Sequence, residues 1–402
     1  MKVPLRKLLF GVAVVGTATS TIFCGLAVVA ALRFARRKQV AEARPATFTP
    51  SVSVLKPLHG SEPELQESLE SYFQQDYPAP YEILFCARQS EDAGLQLARE
   101  VAARYPAQPA RFIACGEPRL PNPKMYSLAV MTAVAAYPHL VTSDADCRVG
   151  PDYLLRSVQP LARGGDAAAL AFSLYRGAVD RGGLWTHLDA AGKSVEMASG
   201  VLIADMLSGT DFALGVSMAL RKEAIDEAGG CDDLGHFWAE DYVLGNRLAV
   251  AGRRVMISPH VVEMVLADHG GWRSFRDQLR WMQSTRRSRP WGHLGTGLTF
   301  AMPFGVLGCV VSVADGAWML GAAFVAVAVL NRMLQAGVLL RALSERRRLW
   351  QYMLLYPLRD CLGFAVWVCS YLPADTRYHG TRFRIMPDGR LLASAPDRSP
   401  AV

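Results

Sequence analysis

Two acidic residues near the middle of the chain, in His139-Leu-Val-Thr-Ser-Asp144-Ala-Asp146-Cys-Arg-Val149, are spaced i, i+2 at the end of a short apolar run. If strand geometry persists through that point, both carboxylates project from one face, because side chains alternate across a strand. Such a face suits a hard cation. Mg²⁺ and Mn²⁺ take oxygen ligands and are usually held by one or two carboxylates together with the substrate's own phosphates, so Asp144 and Asp146 point to a phosphorylated ligand. Asp and Ser also terminate strands in ordinary turns, and the pair alone does not separate the two readings.

Other residue types add to the set. Lys56 and Lys124 follow or flank strand ends, where a diphosphate could lie. Glu240 and Asp241 stand just before Val243, Leu244, Leu248 and a stop at Gly252, which makes them first-turn acids favoured by the helix dipole. Asp92 precedes the apolar repeat Leu97, Val101, Tyr105, where an aspartate is favoured as an N-cap whatever its function. Arg280 and Trp281 lie in an arginine-rich stretch that also fits an interfacial helix with snorkelling cations and an anchoring ring.

The elements that must position these residues alternate in type. Ser51 to Leu55 is a β-branched, apolar strand broken by Lys56-Pro57-Leu58-His59-Gly60. Ser61 with Glu64 forms a possible capping box before a helix marked by Leu65, Leu69 and Phe73. A strand over Tyr81 to Ala87, a helix marked by Leu97 and Val101, a strand over Arg111 to Ala114 and a helix over Lys124 to Ala136 follow, and they lead into the strand that ends at Asp144. Strands alternating with helices imply an α/β domain with a mostly parallel sheet covered on both faces. Ligands of such sheets bind beyond the carboxyl ends of the strands, where Asp92 and Asp144 fall. No Gly-x-Gly-x-x-Gly and no phosphate-loop motif occurs, so dinucleotide and P-loop readings have no support.

Composition supplies the setting. The chain has 402 residues, long for one domain, and 51% are hydrophobic without counting glycine, above the soluble norm. Leu8 to Leu32 carries no charge and is long enough to cross a bilayer, which predicts a retained anchor within residues 1–40. Leu294 to Ala314 and Ala317 to Leu340 predict a hairpin of two further spans, with Arg332 interrupting the second. Arg359 and Asp360 interrupt Gln351 to Leu372, which is either a fourth span or a re-entrant helix pair; ionisable residues at membrane depth are costly and often functional. The net charge of +7 is concentrated where Arg273, Arg276, Arg280, Arg286, Arg287 and Arg289 adjoin an apolar block, which points to a membrane surface rather than to nucleic acid. Arg341, Arg346, Arg347 and Arg348 predict a cytosolic loop. The eight cysteines fall singly, which fits a reducing compartment and gives neither a zinc site nor a disulfide framework. The expected layout is an anchor over 1–40, an α/β domain over 48–290, membrane helices over 291–375 and a basic tail over 376–402, with Ala393 to Val402 disordered.

Six motifs occur in one order: Val52-Ser-Val-Leu-Lys-Pro57-Leu, Glu67-Ser-Leu-Glu-Ser-Tyr-Phe-Gln-Gln-Asp-Tyr-Pro78, Asn122-Pro-Lys124, Asp144-Ala-Asp146, Ala239-Glu-Asp241-Tyr and Arg280-Trp281. Together, over roughly Ser51 to Arg289, they resemble the ceramide glucosyltransferase family of inverting, nucleotide-sugar glycosyltransferases with the GT-A fold. They are also similar to bacterial hopanoid-modifying N-acetylglucosaminyltransferases.

The resemblance implies transfer of a hexose from a UDP-sugar to the hydroxyl of a membrane lipid such as ceramide. It implies a catalytic domain on the cytoplasmic face of a multi-pass membrane protein. Asp92 would lie near the uracil and ribose of the donor; Asp144 and Asp146 would bind a divalent metal, Mg²⁺ or Mn²⁺, and the donor. Asp241 would be the general base, with Glu240 as the alternative. Arg280 would stabilise the departing diphosphate and Trp281 would offer a flat wall to sugar or acceptor. Lys56 and Lys124 are the remaining donor-binding candidates, and Gly215 and Ser217 are possible lining residues. The family's Gln/Arg-x-x-Arg-Trp motif is altered, with Asp277 at its first position and Gln278 next. A polysaccharide synthase and a catalytically silent scaffold are the competing classes.

Overall fold

The computed structural model describes residues 3–60, 64–162, 164, 167–372, 375–378, 381–386 and 388–393. Ser61 of the expected capping box and residues 394–402 of the expected tail lie outside them. In chain order the elements are α1 (Val3–Ala43), β1 (Val52–Pro57), α2 (Leu65–Glu70), β2 (Tyr81–Ala87), α3 (Ala93–Ala102), β3 (Ala110–Ala114) and α4 (Pro123–Val134). Next come β4 (His139–Ser143), β5 (Cys147–Arg148), α5 (Tyr153–Val158), β6 (Leu170–Ala178), α6 (Leu184–Ser208), β7 (Ser217–Arg221), α7 (Lys222–Glu227), α8 (Gly230–Leu234), α9 (Glu240–Val250) and β8 (Val255–Val265). The remainder is α10 (Gly271–Ser288), α11 (Pro290–Thr296), α12 (Met302–Ala314), α13 (Trp318–Ala342), α14 (Leu349–Cys369), β9 (Asp375–Tyr378), β10 (Thr381–Ile385) and β11 (Leu391–Ala393).

These elements fall into two compact units that do not follow the linear order. One comprises Val40–Asp180, Thr210–Ala267 and Pro373–Val402; the other comprises Met1–Gln39, Arg181–Gly209 and Asp268–Leu372. The helical unit therefore takes in α6 and α10, both of which lie inside the linear span 48–290. Helix α6 is suited to this because Leu188, Val195, Ala198 and Leu202 form a buried stripe at helical spacing.

The α/β unit is built on an eight-stranded sheet in the order β3-β2-β1-β4-β7-β6-β8-β5. The half expected from the sequence, β3-β2-β1-β4, is parallel throughout, with Val52 in register with Tyr81 on one side and His139 on the other. Strand β1 is buried on both faces, so its sequence shows a continuous apolar run rather than an alternation. The second half is mixed. β7 runs antiparallel to β4 and β6, β6 pairs parallel with β8 across an irregularity at Ser173/Leu174, and the two-residue β5 pairs antiparallel with β8. Strand β4, ending at Ser143, feeds directly into Asp144.

Beyond Leu372, where the sequence predicts only a basic tail, β9, β10 and β11 form a three-stranded antiparallel sheet. Ile385 and Leu391 are buried there with Trp238 and Phe383 packed against them. The sheet is tied to the loop before α9 by Trp238 N–H to Gly389 carbonyl, at 2.9 Å, and Leu391 N–H to His236 carbonyl, at 2.8 Å. It thereby braces the approach to Glu240 and Asp241.

In the helical unit, α1 from Leu5, α13 and α14 are long and apolar enough to cross a membrane. The span expected over Leu294 to Ala314 is instead broken into α11, a turn at residues 297–299 and the 13-residue α12. Gly295 and Gly297 weaken the helix there and Pro303 begins a new one at its first turn. At 1.5 Å per residue α12 reaches about 20 Å, short of a bilayer core of about 30 Å. Gln351 to Leu372, left between a span and a helix pair, forms the single 21-residue α14 with Pro357 inside it.

Candidate active site

A cleft of about 570 Å³ opens in the α/β unit, with Leu58, Gly60, Arg88, Lys124, Asp144 and Asp146 among its lining residues. These follow the carboxyl ends of β1, β2 and β4 or start α4, the location at which parallel α/β sheets bind ligands. The two aspartates leave the strand in a tight turn, with Cys147 N–H donating to the Asp144 carbonyl at 3.2 Å. Both reach the cleft.

The turn is held from beneath by residues that the sequence analysis treats differently. Lys56 is fully buried rather than cleft-facing: its Nζ donates to the Asp144 carbonyl at 2.6 Å and the Cys147 carbonyl at 3.4 Å, and lies 4.0 Å from the centre of the Tyr72 ring. Burial pushes its ammonium down to about 8, against the opposing pull of Cys147, Asp146 and Asp144. Lys56 thus positions the Asp144–Cys147 turn instead of meeting a diphosphate. The motif Glu67 to Pro78 acts on the same turn. Ser71 Oγ accepts from Val149 N–H at 3.2 Å, Tyr72 shares a hydrogen bond with Ser143, and Gln75 donates to the Gly150 carbonyl while accepting from Leu154 N–H, both at 2.9 Å.

Lys124 gathers the acids from distant parts of the chain. Its Nζ is 2.7 Å from Asp144 Oδ1 and 3.6 Å from Glu240 Oε1, and it donates to the Gly215 carbonyl at 3.3 Å. Gly215 N–H donates in turn to Asp241 Oδ2, and Asp241 Oδ1 accepts from Tyr242 N–H at 2.8 Å. A side chain at Gly215 would sit 2.9 Å from Asp241 Oδ2 and 3.0 Å from Lys124 Nζ and would displace both charged ends. Gly245, one turn into α9, would set a Cβ 2.3 Å from Ala213 N, so the lack of a side chain lets α9 press against the extended segment leading to Gly215.

Asn122, first residue of the Asn122-Pro-Lys124 motif, joins two elements of the site. Its Oδ1 caps α4 by accepting from Met125 N–H at 3.1 Å, and its Nδ2 donates to Phe237 carbonyl at 3.1 Å and Glu240 Oε2 at 2.8 Å. One side chain therefore fixes both the helix that carries Lys124 and the orientation of Glu240. Pro123, at the first helical position, costs no hydrogen bond there.

The electrostatics follow from burial against charge. Burial lifts Glu240 and Asp241 above the ordinary carboxylate range, with Lys124 opposing in both. Burial alone would lower Lys124, but Asp144, Glu240 and Asp241 together hold its ammonium above the usual lysine value. Two carboxylates facing a cleft form a hard-oxygen donor set that fits Mg²⁺ or Mn²⁺ with ligands left for phosphate oxygens. No cluster of three His, Cys, Asp or Glu side chains that would hold a metal without the substrate occurs among the described residues.

Asp92 is the N-cap of α3. Its Oδ1 accepts from Gly94 N–H at 2.9 Å and Leu95 N–H at 3.3 Å, and its Oδ2 accepts from Gly60 N–H at 3.0 Å. It does not itself line the cleft; it holds Gly60, which does. In the helical unit, Arg280 is exposed on α10, while Trp281 is half-buried with Lys193 Nζ 3.9 Å from its ring centre. Gln278, not Asp277, is the inward residue of the altered motif: it donates to buried Asp189 and, at 2.8 Å, to Ser274 Oγ, whereas Asp277 faces Arg273 at 3.8 Å.

Ceramide glucosyltransferase 1 of Caenorhabditis elegans is 30% identical over 211 residues, covering 52% of this chain and 44% of that protein. Ceramide glucosyltransferase 3 of the same organism is 30% identical over 214 residues, covering 52% and 45%. The ceramide glucosyltransferase of Komagataella phaffii is 31% identical over 145 residues, covering 35% and 28%. The chain spans less than half the length of these relatives. Among solved structures, the mannosyltransferase PcManGT from Pyrobaculum calidifontis in complex with GDP-Man and Mn2+ has a TM-score of 0.44 at 20% identity, covering 87% of this chain and 99% of the other. A family model for Glycosyl transferase family 21 matches residues 12–391, most of the chain, and this protein therefore belongs to that family.

Proposed function

We infer that this chain transfers a glucosyl group from UDP-glucose to a hydroxyl of a membrane lipid, ceramide by preference, in a single displacement that inverts the anomeric centre. The observation that carries the reading is the gathering of Asp144, Glu240 and Asp241 around Lys124 at the rim of a cleft that also presents Asp146. Membership of the family and the likeness to ceramide glucosyltransferases support the same class of reaction. So do three helices of spanning length, since an acceptor that lives in the bilayer requires an enzyme that stays there.

In this reading Asp144 and Asp146 hold a divalent cation, which when bound screens the diphosphate of the donor. Lys56 and the Ser71–Gln75 segment keep the two carboxylates in place, and Asp92 shapes the donor cleft through Gly60 and the start of α3. Asp241 is the general base: its oxygens already accept from Gly215 and Tyr242 N–H, which fixes their direction, and its raised proton affinity suits it to take the acceptor's hydroxyl proton. Lys124 offsets the mutual repulsion of the gathered acids and supplies positive charge near the departing phosphates. The α/β unit is assigned to the cytoplasmic face, because Arg341 and Arg346 to Arg348 flank the end of α13. Incubating purified chain in phosphatidylcholine nanodiscs with ceramide, Mn²⁺ and either UDP-glucose or UDP-N-acetylglucosamine tests this directly. Hexosylceramide from UDP-glucose is the expected product; transfer from UDP-N-acetylglucosamine alone would replace the reading.

A further inference from the structure

The chain passes between its two units at five places: after Gln39, before Arg181, after Gly209, before Asp268 and after Leu372. A folded sheet with irregular loops does not enter lipid, so all five passages lie on one face of the bilayer. The segment Asp268–Leu372 therefore leaves that face and returns to it, crossing an even number of times. It holds two helices of spanning length, α13 and α14, and the shorter α11 and α12. Contacts inside the helical unit decide which of these cross.

Helix α1 serves as a ruler of depth, because its far end is the first passage. Arg6, near its start, pairs with Asp315 in the turn between α12 and α13 at 2.9 Å. Lys38, near its end, donates to Ser344 just past α13. Between these points the Phe10 and Phe324 ring centres are 5.9 Å apart, and Asn331 Nδ2 donates to Thr21 Oγ1 at 2.8 Å. Helix α13 thus runs beside α1 in the same direction. The chain before it runs the opposite way: Thr19 Oγ1 donates to the Leu298 carbonyl at 2.9 Å, and a Cβ at Gly16 would lie 2.1 Å from Phe304. Asp315 therefore lies on the face opposite the passages, and α11 with α12, then α13, make the two crossings.

Helix α14 starts at the returned end. Its first half lies against α13: a Cβ at Gly337 would meet Met353 Cε at 3.0 Å, and Arg332 pairs with Asp360 at 3.3 Å. Beyond Asp360 it follows the incoming chain backward. Asp360 Oδ2 accepts from Ala301 N–H at 2.9 Å and Met302 N–H at 2.8 Å, Trp367 Nε1 donates to the His293 carbonyl at 2.8 Å, and Arg286 lies 5.5 Å from the Tyr371 ring centre. The helix thus ends beside the entry of the first crossing, not beside Asp315. Trp350, Leu354, Leu358 and Val368 form an exposed apolar stripe along it, while Tyr352, Tyr356, Arg359 and Gly363 are buried on the other side. We propose that α14, despite its length, does not cross the bilayer: it lies in the leaflet on the passage face, with its stripe covered by acyl chains, and the start of α1 is on the opposite face. The stripe continues the lipid-facing surface of the two crossings, and the proposal does not depend on which sugar or acceptor the chain uses.

The test uses the full chain with one epitope tag at a time, before Met1, between Gly316 and Ala317, or after Val402, in sealed bacterial membrane vesicles of either orientation. Added protease should remove the first two tags from one face and the third from the other. Loss of the C-terminal tag from the same face as the N-terminal one would mean that α14 crosses, and loss of the Gly316 tag from the face of the C-terminal one would mean that α13 does not; either overturns the proposal. An unchanged size-exclusion profile in detergent verifies the folding of each tagged chain, and if the Gly316 insertion is not tolerated the two terminal tags decide alone. The stripe is tested in nanodiscs of phosphatidylcholine brominated in its acyl chains. The emission that Trp350→Phe removes should be quenched there relative to unbrominated lipid; an unquenched Trp350 would place the stripe outside the acyl region and overturn the assignment of α14 to a leaflet.

Discussion

Lys124 is the side chain on which the acids of the α/β unit depend, and its removal has a definite consequence. Glu240 and Asp241 bind their protons more tightly folded than unfolded because burial outweighs Lys124. The stability each contributes is therefore complete below an unfolded value of about 4 and is lost as pH rises through the folded one. The raised Lys124 follows the same rule at higher pH: its contribution is complete below about 10.4 and is lost as pH rises further. Because a general base must be ionised, kcat/KM should fall on the acid side with an apparent pKa above about 4. Lys124→Met should push that limb higher still; a limb that stays put in a pH-rate profile would mean that neither acid is the base. Asp241→Asn should lower kcat by about 10²–10⁴ with little change in donor KM. Lys56→Met, close in volume but unable to grip the turn, should raise the Mn²⁺ concentration for half-maximal rate by about 10–100-fold. Spacing placed Asp144 and Asp146 together at a strand end, and both line the cleft, although the pair alone did not separate a ligand set from a turn. Lys56 was misleading because β1 is buried on both faces, so a lysine at its end reads as exposed although it is enclosed. Asp92 was ambiguous for the opposite reason, since a cap and a ligand prefer the same residue at the same place.

At the scale of elements, the site is an agreement between helix starts and strand ends. Helix α4 begins at Asn122-Pro123 and α9 at Glu240; Lys124 and Asp241 from these starts both meet Gly215, and α9 approaches the backbone of Ala213 at Gly245 too closely for a Cβ. Gly245→Ala should therefore cost about 1–3 kcal/mol, read as a lower Tm, and should displace α9 enough to reduce transfer even with saturating donor. Full activity with unchanged Tm would show that α9 does not need its close approach. The parallel half of the sheet was legible because β1, β2 and β4 are apolar runs bounded by turn residues. Leu170–Ala178 and Val255–Val265, also strands, went unnamed because nothing local to them signals a partner so far away in the chain. The sheet of β9, β10 and β11 was hidden by its arginines, which made strand residues look like a solvated tail.

At the scale of the whole molecule, two folding environments share one chain: an α/β sheet with its cleft, and a set of helices three of which have spanning length. The protein should remain with membranes after an alkaline carbonate wash and leave them only in detergent; release by the wash would contradict the spanning reading. Hydrophobic length announced the helices, but α12 fell short where glycines and a proline interrupt the apolar run, which hydropathy alone does not register. The sequence also marked Arg359 and Asp360 as costly without indicating that Asp360 would cap α12 and Arg359 pair with Glu196. The most direct test of the account is the product formed by the purified chain from UDP-glucose, ceramide and Mn²⁺, with the anomeric configuration read by NMR. The account predicts β-glucosylceramide, absent in Asp146→Asn and Asp241→Asn; an α-linked product, free glucose alone, or undiminished transfer in both variants would contradict it.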